Sequence, residues 1–192
     1  TNIHIEGITL ETTVINKAIV LDSCKDSIFK DVKVKGPWIT GDAADAGSIG
    51  IEMNSLNGTV ETKNNKFYDC DIQGFEYGVS SDWDTNNNHI RDVNFSNCAY
   101  GIAFGSGLLT VDLTANSGKQ TGPSENTIMH NTFNNINKHA IWAKFGSRKI
   151  KKKLTKINKI NFVQLRCTQA LCLKDDEKSA KALLHGKQQG KV

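Results

Sequence analysis

Large apolar residues recur along the chain in an eight-residue unit, where they hold the first and sixth places. The unit reads Ile5-Glu6-Gly7-Ile8-Thr9-Leu10-Glu11-Thr12, then Phe29 to Gly36, then Phe67-Tyr68-Asp69-Cys70-Asp71-Ile72-Gln73-Gly74. Two more copies run from Ile90 to Asn97 and from Ile128 to Asn135. Short β-branched and aromatic runs broken by Asn, Asp and Gly predict brief strands. No stretch before Lys144 sustains a helical period.

A second signal follows each copy: a small residue and then a β-branched one. It reads Ala18-Ile19, Gly50-Ile51, Gly78-Val79, Gly101-Ile102 and Ala140-Ile141. The gaps between the starts of successive copies alternate between short and long. A basic period of about 23 with two insertions of about 15 accounts for all four gaps, as in repeat architectures. The insertions are expected at 37–49 and 106–125, which are rich in Gly, Asp, Ser and Thr and read as loops leaving a regular stack.

A unit of short strands cannot bury its apolar side alone, whereas stacked units share one continuous core. Parallel strands stack about 4.8 Å apart, so equivalent residues form columns. Ile5, Phe29, Phe67, Ile90 and Ile128 would line the inside, as would Leu10, Val34, Ile72, Phe95 and Phe133. Asn65, Asn88 and Asn126 each precede a copy by two places and would form an amide ladder at a bend. Asparagine also tolerates the left-handed corner that turns each coil. The expected fold is all-β, a parallel β-helix of five or six coils over residues 1–145. Residues 146–192 form a basic segment, read as a last coil from Ile157 plus a capping helix or tail from Asp175.

Composition supports a folded chain: 38% hydrophobic and 23% charged residues exclude disorder. No apolar run approaches the ~20 residues of a membrane helix. The chain opens on Thr1 without a basic-then-apolar leader, and so reads as a fragment, a processed product or a chain whose start is not included. Its net charge of +4 hides an asymmetry. Residues 1–143 carry 10 Lys and Arg against 17 Asp and Glu, whereas residues 144–192 carry 14 against 3. Nucleic-acid binding would have to rest on that tail, whose basic run Arg148 to Lys153 lacks interleaved aromatics; a solvated face or subunit contact is the preferred reading. Five cysteines without a CxxC pair fit neither a disulfide framework nor a zinc site, and read as small core fillers.

Segments such as "NKFYDCDIQGFEYGVSS" and "NHIRDVNFSNCAYGIAFG" resemble coils of right-handed parallel β-helices of the pectate-lyase-like kind, found in phage tail spikes and in polysaccharide-degrading enzymes. The resemblance covers about residues 2–145. It implies a fold more than a function, because the fold hosts both binding and catalysis.

Alternation along the third strand of each coil points one column outward: Val20, Glu52, Ser80, Ala103, Trp142. Two places on, it reads Asp22, Asn54, Asp82, Gly105, Lys144. Glu52 and Asp82 lie on adjacent coils with backbones about 8 Å apart, near the separation of an inverting glycosidase pair. They are the candidate catalytic residues; the plainer reading is two solvated surface charges. Trp83, inside Asp82-Trp83-Asp84, is the leading candidate for sugar contact, with Asp84, Trp38 and Trp142 beside it. Packing beneath loops or against another subunit is the alternative for the tryptophans. His89, His130 and His139 share no ligand spacing, and His130 falls in the column of Asp31, Asp69 and Asp92, at a turn. No GxSxG, HExxH or P-loop is present, and no metal or cofactor is expected. A lyase reading lacks its basic column, since Arg91 is the only Arg before Arg148.

Two functions follow. One is a virion tail-spike or appendage module binding host-surface or other acidic polysaccharide, alongside other tail proteins. Its trimeric form is implied by the resemblance, with Val20, Phe104 or Trp142 at the contacts. The other is a secreted glycoside hydrolase or lyase using Glu52 and Asp82.

Overall fold

The structure is a computed structural model that describes residues 2–14, 16–38, 47–55, 60–105, 122–143, 151–153 and 156–160. Among them there are strands and no helix. Three parallel sheets are each assembled from one short strand per coil, taken in chain order. The first contains His4–Glu6, Ile28–Lys30, Lys66–Tyr68, His89–Arg91, Thr127–Met129 and Lys151–Lys153. The second contains Thr9–Glu11, Lys33–Lys35, Asp71–Gln73, Asn94–Ser96, Thr132–Ile136 and Lys156–Ile160. The third contains Lys17–Asp22, Ile49–Asn54, Tyr77–Ser81, Tyr100–Phe104 and His139–Ala143. Consecutive strands of a sheet are therefore a whole turn apart in sequence, which is the topology of a parallel β solenoid.

The register matches the columns expected from sequence. Ile5, Phe29, Phe67, Ile90 and Ile128 stand opposite one another in turn. So do Leu10, Val34, Ile72, Phe95 and Phe133. Phe29 stacks on Phe67 at 4.9 Å and Phe95 on Phe133 at 5.0 Å, the distance that one strand spacing imposes. The core is closed by these columns together with Ile51, Val79, Ile102, Met53 and Phe104. Phe104 is thus a correction: expected as an exposed subunit contact, it is fully buried because its register partners, Ser81 and Ala143, mark a column that turns inward. In the first coil the interior columns are less covered, and Ile3 and Ile8 are exposed, since among the described residues that coil has a neighbour on one side only.

Polar corners turn the chain. Asn65, Asn88 and Asn126 form the expected ladder, fully buried. Asn88 Oδ1 accepts from the Asn65 backbone N–H at 3.0 Å and from Asn65 Nδ2 at 3.1 Å, and Asn126 Oδ1 serves Asn88 in the same way at 2.9 and 3.1 Å. Each Nδ2 also donates back to a carbonyl: Cys24, Thr62 and Thr85 in turn. Ser27 ends the ladder, donating its backbone N–H to Asn65 Oδ1. The ladder asparagines are not themselves the left-handed residues. That conformation belongs to the residue before each, Asn64, Asn87 and Glu125, and to Asp26 before Ser27, with φ between 53° and 59°. The bend and the internal hydrogen bonding are divided between neighbours. A second left-handed column, Gly7, Asp31, Asp69, Asp92 and His130, joins the first sheet to the second. His130 Nδ1 lies 3.7 Å from Asp92 Oδ1 there, as a turn histidine.

Two register details differ from expectation. The sequence places the whole of the first insertion within 37–49, but in the structure it is divided around one strand. The chain from Val34 to Ile51 is longer than its counterpart from Ile72 to Val79, and the chain from Ile51 to Phe67 is longer than that from Val79 to Ile90. The sixth coil is also registered differently. Lys152 stands opposite Ile128 and Ile157 opposite Phe133, so Ile157 occupies the sixth place of the unit and not the first. The helix expected from Asp175 lies outside the described residues, as do Asp42, Asp45, Lys144, Cys167 and Cys172.

Candidate functional site

The longer connections meet the third sheet: Ile49–Asn54 is both preceded and followed in sequence by longer stretches than its neighbour Tyr77–Ser81, and Tyr100–Phe104 is followed by one. Its outward positions run Lys17, Ile49, Tyr77, Tyr100, His139 in one column and Val20, Glu52, Ser80, Ala103, Trp142 in the next. Asp82 follows two places after Ser80 and donates its N–H to Met53 O at 3.0 Å, so it remains in the ladder one step past the strand.

The carboxylates are withdrawn from water. Glu52, Asp82 and Asp84 are 7%, 6% and 7% exposed, and Ser80 and Ala103, which follow Glu52 in its column, are buried. The expectation of solvated outward charges is therefore corrected. Glu52 is held by Lys17, whose Nζ stands 2.8 Å from each carboxylate oxygen. Asp82 accepts from Ser80 Oγ at 3.3 Å. The turn behind it is fastened by Thr85 Oγ1, which donates to Asp82 O at 2.9 Å, and by Asp84, left-handed at φ 47°, whose carbonyl accepts the Thr62 N–H. Trp83 is half-buried between these two fixed acids.

The other tryptophans serve different ends. Trp38 donates its indole N–H to Ser48 Oγ at 3.0 Å, and Ser48 Oγ also accepts the Glu76 N–H. Its polar handle thus pins the start of the third sheet. Trp142 stacks on Tyr100 at 5.0 Å and Tyr100 on Tyr77 at 4.9 Å, while Lys138 Nζ lies 5.2 Å over the Tyr100 ring. Rings stacked along the axis cover one another's faces and turn their edges outward. This stripe therefore offers hydroxyls more than flat apolar faces. Burial, then Glu76 and Tyr100, push the Tyr77 hydroxyl well above the usual phenol range.

No family model, curated protein or solved structure matches the chain.

Several features escaped the sequence reading. Lys17 carries no signal of its own in the sequence, although the register places it diagonally across from Glu52. A cleft of about 380 Å³, lined by Asp26, Ile28, Asn64, Lys66, Asn87 and His89, lies at the corner leading into the first sheet. Its residues flank Ser27, Asn65 and Asn88, one on either side of each. Cys24, Cys70 and Cys98 are buried and free, and burial raises the Cys70 thiol and pushes Cys98 up to about 11, so neither is a ready nucleophile. Among the described residues no group of three or more His, Cys, Asp or Glu is placed to hold a metal. No described helix is long and apolar enough to cross a membrane.

Proposed function

We propose that the chain is a glycan-binding shaft, a right-handed parallel β-helix of the pectate-lyase-like kind serving as a module of a phage tail spike or related appendage that holds host-surface polysaccharide. The observation that carries this reading is the Asp82-Trp83-Asp84 turn, where a half-buried indole stands in the chain between two buried aspartates, the first accepting from Ser80 Oγ and the second tied through its carbonyl to the Thr62 N–H. Indoles pack on sugar faces while carboxylates accept hydroxyl hydrogen bonds. The strands of the same sheet are the ones next to the longer connections in sequence, and loops on a rigid scaffold commonly carry binding. Trimeric assembly belongs to this proposal, with Val20, 49% exposed on the first coil, as a contact.

Binding is favoured over hydrolysis by the state of Glu52. Lys17 Nζ stands 2.8 Å from both of its oxygens, so an ammonium already takes up part of the carboxylate's accepting capacity. The hydrolase reading keeps one favourable feature, two buried carboxylates on adjacent coils whose backbones stand about 8 Å apart by strand spacing.

Affinity electrophoresis of the chain against purified bacterial surface polysaccharides, with an assay for new reducing ends, separates the two. The proposal predicts retention without release, weakened about tenfold or more in Trp83→Ala, a loss of about 1.4 kcal/mol. Sustained release of reducing ends, lost in Glu52→Gln and Asp82→Asn, would establish the hydrolase instead.

A further inference from the structure

We infer that the corner cleft beside the first sheet is a second saccharide site, selective for a neutral, hydroxyl-rich ring. It lies round the corner from Trp83, reached through the short strand Thr85–Asn86 that pairs with Thr62–Lys63. The inference stands on its own residues and does not need the third-sheet reading.

The cleft is built from two columns on three successive coils. Asp26, Asn64 and Asn87 are the left-handed corner residues, and Ile28, Lys66 and His89 are the register partners that open each first-sheet strand. The corner residues form a solvent-facing ladder of their own. Asn64 Nδ2 donates to Asp26 Oδ1 at 2.9 Å, and Asn87 Nδ2 donates to Asn64 Oδ1 at 2.7 Å. These bonds fix each side chain's orientation and still leave capacity: the Asn87 carbonyl oxygen, one N–H on each amide and the second oxygen of Asp26. Lys66 adds an ammonium that joins none of the ion pairs among the described residues. The volume of about 380 Å³ falls at the small end of the range for small-molecule sites.

The donor set chooses the ligand class. Fixed acceptors and donors alternate at the coil spacing, and a carboxylate stands near an ammonium. A hydroxyl both donates and accepts, so neighbouring hydroxyls on one ring match such a set. A carboxylated sugar would gain at Lys66 and lose at Asp26, and a cationic one the reverse, so a neutral ring is the ligand that meets no like charge. Ile28 supplies an apolar patch for the ring's C–H face.

Titrating the isotopically labelled full chain with glucose, galactose and N-acetylglucosamine hexamers, and with an oligogalacturonate hexamer, tests this by NMR. The expected result is movement of the Asn64 and Asn87 side-chain amide peaks with at least one neutral hexamer. The movement should survive in Trp83→Ala and weaken about tenfold in the double variant Lys66→Gln, Asn87→Gly. The glycine keeps the left-handed corner, and an unchanged spectrum elsewhere reports an intact fold. Silence of these peaks toward every neutral hexamer, a stronger response to oligogalacturonate, or a response unchanged in the double variant would overturn the inference. Movement confined to the Trp83 indole would overturn it while leaving the third-sheet proposal standing; movement confined to the amides would do the reverse.

Discussion

Asparagine does two jobs that differ by a single place in the chain. At 64 and 87 it takes up the left-handed backbone with its amide in solvent, while at 65, 88 and 126 it is buried and satisfies the backbone of the neighbouring coil. Removing the second job costs more, because a buried donor left without a partner loses its solvation as well as its bond. Asn88→Ala strands the buried Asn65 backbone N–H and removes one of the bonds to the Thr62 carbonyl, and should destabilise the chain by about 2 kcal/mol. Asn87→Gly removes exposed hydrogen bonds and keeps the corner, and should cost well under about 1 kcal/mol. Urea unfolding midpoints check the order; equal losses would mean that the ladder is not buried. The ladder was legible because its residues recur at a fixed offset from an apolar unit. The left-handed residue was misplaced by one because Asn occupies both columns, and Asp26 and Glu125 at the ends of the outer column break the visual pattern.

At the scale of the element, the core phenylalanines decide what each strand can carry. Gly101 in the third sheet is one position where no side chain fits: a Cβ there would press on the Phe133 ring and lie 2.6 Å from the Ala140 carbonyl oxygen. Gly101→Ala should lower stability by about 1–3 kcal/mol, the usual penalty of an overpacked core, and a thermal melt checks it. An unchanged melting temperature would show that the third sheet does not approach Phe133. The first five coils were legible because apolar period and small-residue signal agree. The sixth was registered wrongly because Lys151–Lys153 reads as a break in the apolar pattern, while its backbone pairs with Thr127–Met129. Hydrogen bonding between parallel strands is indifferent to side-chain type, so a polar strand can extend a sheet that pattern alone would end.

For the whole molecule, winding turns residues distant in sequence into surfaces. The third-sheet face was readable in part: alternation placed Glu52, Asp82 and Trp142 outward, but burial of the acids and the grip of Lys17 depend on neighbours that no local pattern specifies. The corner cleft was not readable, since each of its residues looks like an ordinary turn or strand residue until three coils bring them together. Both candidate binding surfaces therefore rest on the stacking register, and above all on its passage across coils of unequal length. The most direct measurement is the set of amide NOEs of Ile90 in the labelled chain. The structure predicts cross-strand contacts to Phe67, one short coil before it, and to Ile128, one long coil after it, both in parallel register. Contacts to one side only, or an antiparallel pattern with a nearby hairpin partner, would contradict the solenoid and remove both surfaces with it.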